Sequence, residues 1–256
     1  MNKVSICIVA KNDYWSTIYS FERSGFAIVE DITEFIVKDA PKKYINVVGN
    51  VEVDLLVAFT PETDLRLKDY FSKLTPQIVD FDTEVSDAVA FNHLFKQAKN
   101  EYICILNDNV FMQEHWLTEL IYYYEHIQNS GVVSICDNFA EVKYLPLLSK
   151  ENESFQNVFI PDNNMVHSNS VCIFSKQYLQ TIGCFDESVE LHGNELNQLQ
   201  LRFTAMGYHN YYIPNQSCLI LAENQKIDYQ KLVIGNANLH KTISQMRKLG
   251  QFYISI

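Results

Sequence analysis

Three oxygen-bearing side chains in a row, Asn107, Asp108 and Asn109, close the segment "EYICILNDNV". Carboxylate and amide oxygens of this kind hold hard cations such as Mg²⁺ and Mn²⁺. "EYICIL" is a short apolar run of strand type, and "EHWLTELIYYYEHI" beyond it has helical spacing, so the tripeptide falls at the carboxyl end of a buried strand. In open α/β sheets ligands bind at such ends. A plain turn accounts for the same residues, because Asn and Asp are ordinary turn formers. A second acid, Glu195, stands in the first turn of a helix predicted from "ELNQLQLRFTAMG", where the macrodipole favours an anion and Asn194 is placed as N-cap. Arg202 lies further along the same face of that helix.

The elements that must position these groups alternate in type. "VSICIVA" opens, a helix is predicted over Trp15 to Ser24, "VDLLVAFT" is the next strand, and a helix follows over Leu65 to Leu74. Then come "QIVDFD", an amphipathic helix in "EVSDAVAFNHLFKQAKN", and "EYICIL". That alternation predicts an α/β protein with a mostly parallel central sheet flanked by helices. With 256 residues and no repeat or glycine-rich linker, a single domain is expected. No G-x-G-x-x-G or G-x-x-x-x-G-K-[ST] occurs, which argues against a glycine-rich phosphate grip. In the second half, "SVCIFSKQYLQTIGCFDESV" reads as strand, helix and turn. Leu196, Leu199, Phe203 and Met206 repeat at helical spacing and are expected to face the core, with Gly207 ending the helix.

A net charge of −11 argues against broad binding to nucleic acid. The opening apolar run is too short to cross a membrane or to serve as a secretory core, so no transmembrane segment is expected. The six cysteines (Cys7, Cys104, Cys136, Cys172, Cys184 and Cys218) form no C-x-x-C pair, which fits a reduced, cytoplasmic protein. From Leu221 onward the charge turns to +3. That stretch is either a solvated helix face or a segment that closes over a phosphate, and it leaves peripheral membrane contact open.

In their order along the chain, Asn12, "AFNHLFKQAKNEYICILNDN", "GCFDE" and "ELNQLQLRFTAMGYHNYYIP" resemble the family-two glycosyltransferases of the GT-A fold, within the nucleotide-diphospho-sugar transferase superfamily. The resemblance runs from Val4 to Pro214. It implies a GT-A-like (Rossmann-like) domain over 1–220, with a nucleotide-binding half (1–110), an acceptor half (111–220) and a C-terminal helical tail (221–256). The implied activity is transfer of a sugar from a nucleotide diphosphate sugar to a glycan, lipid-linked or protein acceptor, as in polysaccharide biosynthesis. Asp108 and Asn109 match the family's metal position, so the resemblance implies a divalent cation (Mn²⁺ or Mg²⁺), weakly bound or donor-dependent. Asn107, Lys11, Asn12, Thr60, Asn92 and Arg202 match donor-side positions, Arg202 serving to orient Glu195 or pair with a neighbouring acid. Glu195 is left as the catalytic base.

The sequence departs from the family's pattern in four places. Asn107 and Asn109 flank a single carboxylate, and each lost carboxylate weakens metal attraction. The strand "VDLLVAFT" ends at Thr60 where the family places an Asp, Leu196 stands where the usual base would be, and no His closely follows Pro214. These changes keep a second reading open: a catalytically degenerate GT-A-like protein that binds nucleotide sugar or a protein partner without transfer. Fold does not choose between the two. Asp186 and Glu187 are expected to cap the segment that follows them. Trp116 and Tyr122 to Tyr124 are expected in the core, and His167 and His192 as structural residues.

Overall fold

The computed structural model describes residues 3–11, 13–29, 45–48, 51–75, 77–137, 170–188 and 195–220. Its centre is made by three runs of apolar residues, β1 (Lys3–Ala10), β4 (Val51–Phe59) and β6 (Tyr102–Leu106), which are buried almost throughout. Continuous apolar strands of this kind need cover on both faces, which helices supply in α/β folds. β1 pairs parallel with β4 on one side and with β6 on the other. The sheet order is β2-β3-β4-β1-β6-β9-β8-β10-β7. The outer strands are β2 (Phe26–Val29), β3 (Ile45–Val48), β7 (Val110–Met112), β8 (Ser130–Asp137), β9 (Val171–Ser175) and β10 (His209–Ile220). β5 (Ile78–Asp80) continues the β4 edge beyond the part that β3 occupies. β1, β2, β4, β5, β6, β8 and β10 run one way, whereas β3, β7 and β9 run against them.

Helix starts follow local capping. α1 (Tyr14–Arg23) begins at Asp13, whose carboxylate accepts the Trp15 and Ser16 N–H groups at 3.1 Å. α2 (Leu65–Leu74) begins at Asp64, which accepts from Arg66 at 2.8 Å, and α3 (Asp87–Gln97) at Ser86, which accepts from Val89 at 3.3 Å. Each such cap stabilises its helix by about 1 kcal/mol. α4 (Trp116–His126) is anchored by Trp116, which is fully buried and donates its indole N–H to the Ser24 carbonyl at 3.0 Å. Tyr123 and Tyr124 are buried as expected, whereas Tyr122, on the outer face of the helix, is 42 % exposed against expectation; the Tyr124 hydroxyl accepts the Ser175 N–H at 2.9 Å. α5 (Lys176–Ile182) and α6 (Glu195–Ala205) complete the described helices.

Two features differ from the sequence-based expectation. Met206 is half exposed, because α6 ends at Ala205 and Gly207, at φ +85°, turns the chain so that Tyr208 N–H bonds back to Phe203 O at 3.0 Å. The strands β2, β3, β7, β8 and β10 were not among those expected, and β9 runs antiparallel to β6 rather than extending the parallel set. Among the described residues no helix is long and apolar enough to cross a membrane. The C-terminal segment from 221 onward lies outside the described residues.

Candidate functional site at the carboxyl edge of the sheet

The carboxyl ends of β1, β4 and β6 and the amino end of β9 are tied to one another by side chains and backbone. Asp108, just past β6, accepts the Lys11 backbone N–H at 2.8 Å and the Thr17 hydroxyl of α1 at 3.3 Å through the same oxygen. It thereby holds the β1–α1 turn. Thr63, past β4, donates its hydroxyl to Ala10 O at 2.5 Å and accepts the Thr60 N–H at 2.9 Å. Asn107 N–H donates to Ser170 O at 2.8 Å, immediately before β9. The first expected site residue, Asp108, is therefore where the motif put it, and its place in the fold is to brace the turn that carries Lys11.

Glu195 reaches the same edge by topology. α6 is joined to β10 by the short Gly207 turn, and β10 is parallel to β8, which runs with β6 and β1. A helix that returns against such a strand has its N-terminus at the strands' carboxyl side, and eleven helical residues span about 16 Å. α6 sits close to the sheet because position 131 is glycine: a Cβ there would meet Phe203 Cβ and Asn210 Oδ1 at 3.0 Å. Asp108 and Glu195 are both nearly buried, at 4 % and 7 % exposure. Carboxylates so placed need a compensating charge.

Lys11 supplies it. Its ammonium pairs with Asp87 at 2.5 Å, at the start of α3. Burial alone would pull the Lys11 pKa down, but Asp87, then Asp108 and then Glu195 outweigh that and hold it above the ordinary lysine value. The ammonium is thus within electrostatic reach of both acids singled out in the sequence.

A second cluster fixes the approach to α6. The turn Gly183 to Glu187 is gripped from α3 by Asn92, whose Nδ2 donates to Phe185 O and to Glu187 Oε1 at 2.8 Å while its Oδ1 accepts Phe185 N–H at 2.9 Å. From α6, Arg202 donates to Ile182 O at 3.0 Å and to Cys184 O at 2.6 Å. Burial pulls the Arg202 pKa below the usual arginine value, and Asp186 opposes this only in part. Gly183 has φ +84° and ψ 157°, and a Cβ there would stand 3.1 Å from Arg202 Nη1. Asp186 accepts both the backbone N–H and the hydroxyl of Ser188, at 2.9 and 2.6 Å, which fulfils the capping role expected of it.

Asn92 is engaged with the 183–187 turn through both its amide oxygen and its amide nitrogen. Arg202 is seven residues from Glu195, about 10 Å along the helix, and its hydrogen bonds go to carbonyls. Asn109 is 1 % exposed, whereas Asn107 and Thr60 are half-buried past the ends of β6 and β4. Asn12, His167, His192 and Asn194 lie outside the described residues. Sequence reasoning missed Thr17, Thr63 and Asp87. For Thr63 a signal existed, since it directly precedes the Asp64 cap.

The described residues do not by themselves complete a metal site. One Asp108 oxygen is taken up by two donors, the Lys11 ammonium stands among the acids, and Asn109 is enclosed. Among the described residues no group of three or more His, Cys, Asp or Glu is arranged to hold a cation.

The sequence profile "Glycosyl transferase family 2" matches residues 61–183. No curated protein matches the chain in sequence. Among solved structures, the mannosyltransferase PcManGT from Pyrobaculum calidifontis, in complex with GDP-Man and Mn²⁺, superposes with a TM-score of 0.60 at 14 % identity, over 96 % of this chain and 64 % of its own. Residues 1–349 of S. aureus TarS, in complex with UDP-GlcNAc, give 0.57 at 12 % identity, over 95 % and 66 %. GalNAc-T7 with UDP, GalNAc and Mn²⁺ gives 0.60 at 9 % identity, over 91 % and 47 %. The chain spans less than two thirds of each of these structures. Their fold is that of the present chain, which therefore has the GT-A architecture and resembles the family-two glycosyltransferases both in sequence, over 61–183, and in the course of its backbone.

Proposed function

We propose that the protein is a glycosyltransferase that moves a sugar from a nucleotide diphosphate sugar to a hydroxyl of a glycan, lipid-linked or protein acceptor. One observation carries the reading: Asp108, just past β6, braces the Lys11 backbone at the carboxyl edge of the sheet, and the Lys11 side chain, paired with Asp87, lies within the electrostatic reach of both Asp108 and Glu195, acids far apart in sequence. In this reading the donor lies over the ends of β1, β4 and β6, with Asn107 and Thr60 at the rim and Asp108 holding the β1–α1 turn beneath it. Glu195 takes the acceptor hydroxyl proton as the acceptor oxygen bonds to the anomeric carbon and the bond to the diphosphate breaks. Its place at a helix start next to an ammonium orients it for that task. Asn92 and Arg202 position the 183–187 turn that leads toward α6. No step is routed through a metal ion, because the described residues do not build a site for one.

The binding of GDP-Man and UDP-GlcNAc by proteins of the same fold supports a nucleotide sugar donor here. Free thiols at Cys7, Cys104, Cys172, Cys184 and Cys218 support a reducing, cytoplasmic setting. The degenerate reading is favoured by Leu196, buried where the family has its base. A panel of nucleoside diphosphates tested by thermal shift addresses donor binding. A ligand held only by the folded state raises the melting temperature by mass action. A rise with one or more of the panel is expected, and none with any of them, with and without Mn²⁺, refutes the reading.

A further inference from the structure

We propose that the basic segment from 221 onward docks on the outer face of α1, with an apolar stripe within 239–249 lying over Trp15 and Tyr19. Single apolar side chains at a surface need no explanation, but a contiguous group of them marks an interaction site. Trp15 is 71 % and Tyr19 51 % exposed, one turn apart on α1, and Tyr19 stacks on Phe111 of β7 at 6.3 Å between ring centroids. Leu65, 78 % exposed, opens α2 next to Arg66, whose guanidinium lies 4.5 Å over the Tyr14 ring. The start of α2 thereby extends the patch beside the start of α1. The other exposed large hydrophobics among the described residues, Tyr122 and Met206, stand elsewhere, on α4 and just past α6.

Position, reach and charge name the occupant. β10 ends against β7, with Leu219 opposite Phe111 and Ile220 opposite Val110, and Ser24 at the end of α1 donates its hydroxyl to Val110 O at 3.4 Å. The chain therefore leaves the described residues one strand spacing from the strand that carries Phe111. Residues 221–236 separate that exit from the stripe, and when extended they span up to about 50 Å, several times the length of α1. The stripe is Leu239, Ile243, Met246 and Leu249, spaced as one apolar helix face, with Lys241 and Lys248 opposite. The segment carries +3 in a chain of −11, which leaves −14 for the rest, and Asp13, Glu22 and Glu114 border the patch. Opposite charge around an apolar contact steers the two surfaces together and fixes their register. The same acids disfavour an anionic lipid surface as the occupant.

Tryptophan fluorescence of the full chain tests this without a ligand. Trp15 and Trp116 are the two tryptophans and Trp116 is fully buried, so the emission lost in Trp15→Phe isolates the signal of Trp15. Acrylamide should quench that signal about threefold less efficiently than it quenches N-acetyltryptophanamide, as a docked majority requires. Ile243→Asp and Met246→Asp should each return quenching close to that of the free compound, and added salt should do so in part. Trp15 quenched in the wild type as the free compound is, or shielding that both substitutions leave unchanged, overturns the proposal. Shielding that disappears when the protein is diluted assigns the face to a second copy of the chain and overturns it equally. Should one substitution prevent folding, the other decides by the same reading.

Discussion

Replacing Asn92 with alanine removes three hydrogen bonds from the interior at once: two to the Phe185 backbone and one to Glu187. Asn92 and Phe185 are 2 % and 4 % exposed, so water does not take over the Phe185 N–H and C=O. Glu187 is exposed and finds water, so its lost bond counts for little. Each stranded buried group costs about 1–3 kcal/mol, which places the loss for Asn92→Ala at about 2–5 kcal/mol. For a chain of this size that corresponds to a fall in Tm of about 5–15 °C. Urea unfolding followed by circular dichroism should show a lower midpoint with an unchanged slope. Asn92→Asp sharpens the test, because it keeps the acceptor for Phe185 N–H but sets a carboxylate against Phe185 O and Glu187. It should be as unstable as the alanine variant at neutral pH and recover on acidification, as a protonated carboxyl again offers a donor. A loss below about 1 kcal/mol for Asn92→Ala, the size of an ordinary substitution, would refute the assignment of the turn to this anchor.

Gly183→Ala should cost about 1–3 kcal/mol, because φ +84° with ψ 157° is a region that only glycine visits readily, and the new methyl group would press on Arg202; urea midpoints report it. Arg202→Lys should destabilise by about 1–3 kcal/mol, since one ammonium cannot serve the Ile182 and Cys184 carbonyls with the geometry of the guanidinium fork. Hydrogen bonds from Ser188 hold the Asp186 pKa below the ordinary Asp value, so its contribution is present above that ordinary value and is lost as pH falls through the lower folded-state value. Asp186→Asn should therefore flatten the fall of Tm with pH at the acid end and leave the neutral region parallel to the wild type. An unaltered acid limb would remove Asp186 from that role.

The helices were legible because their signals are local. α2 has the expected ends, Leu65 and Leu74, since Asp64 caps it and an apolar stripe of Leu67, Phe71 and Leu74 defines its buried face. The apolar strands β1, β4 and β6 were legible for the same reason, whereas β8 and β10 were not read. Strand direction was not: β9 is as apolar as β6, and only the connections around it decide that it runs the other way. The short strands β3 and β7 carry three or four residues each, too few for a period to show. At the site, the acids Asp108 and Glu195 were legible by type and place within their elements. What joins them was not, because the Lys11–Asp87 pair and the Thr17–Asp108 bond connect residues 76 and 91 positions apart. Asn92 was identified as a site residue, but its service to the 183–187 turn depends on how α3 packs, which no spacing within α3 reveals. Met206 shows the reverse error, a helical period carried one residue past the point where Gly207 had already turned the chain.

Glu195 as the group that deprotonates the acceptor is most directly tested by turnover in Glu195→Gln, using the nucleotide sugar that corresponds to the stabilising nucleoside diphosphate. The substitution keeps the shape of the side chain and removes its basicity. Donor hydrolysis or transfer should fall at least about a hundredfold, the usual contribution of a general base, while the thermal shift by the nucleoside diphosphate persists. Turnover equal to the wild type would place the base elsewhere and contradict the mechanism.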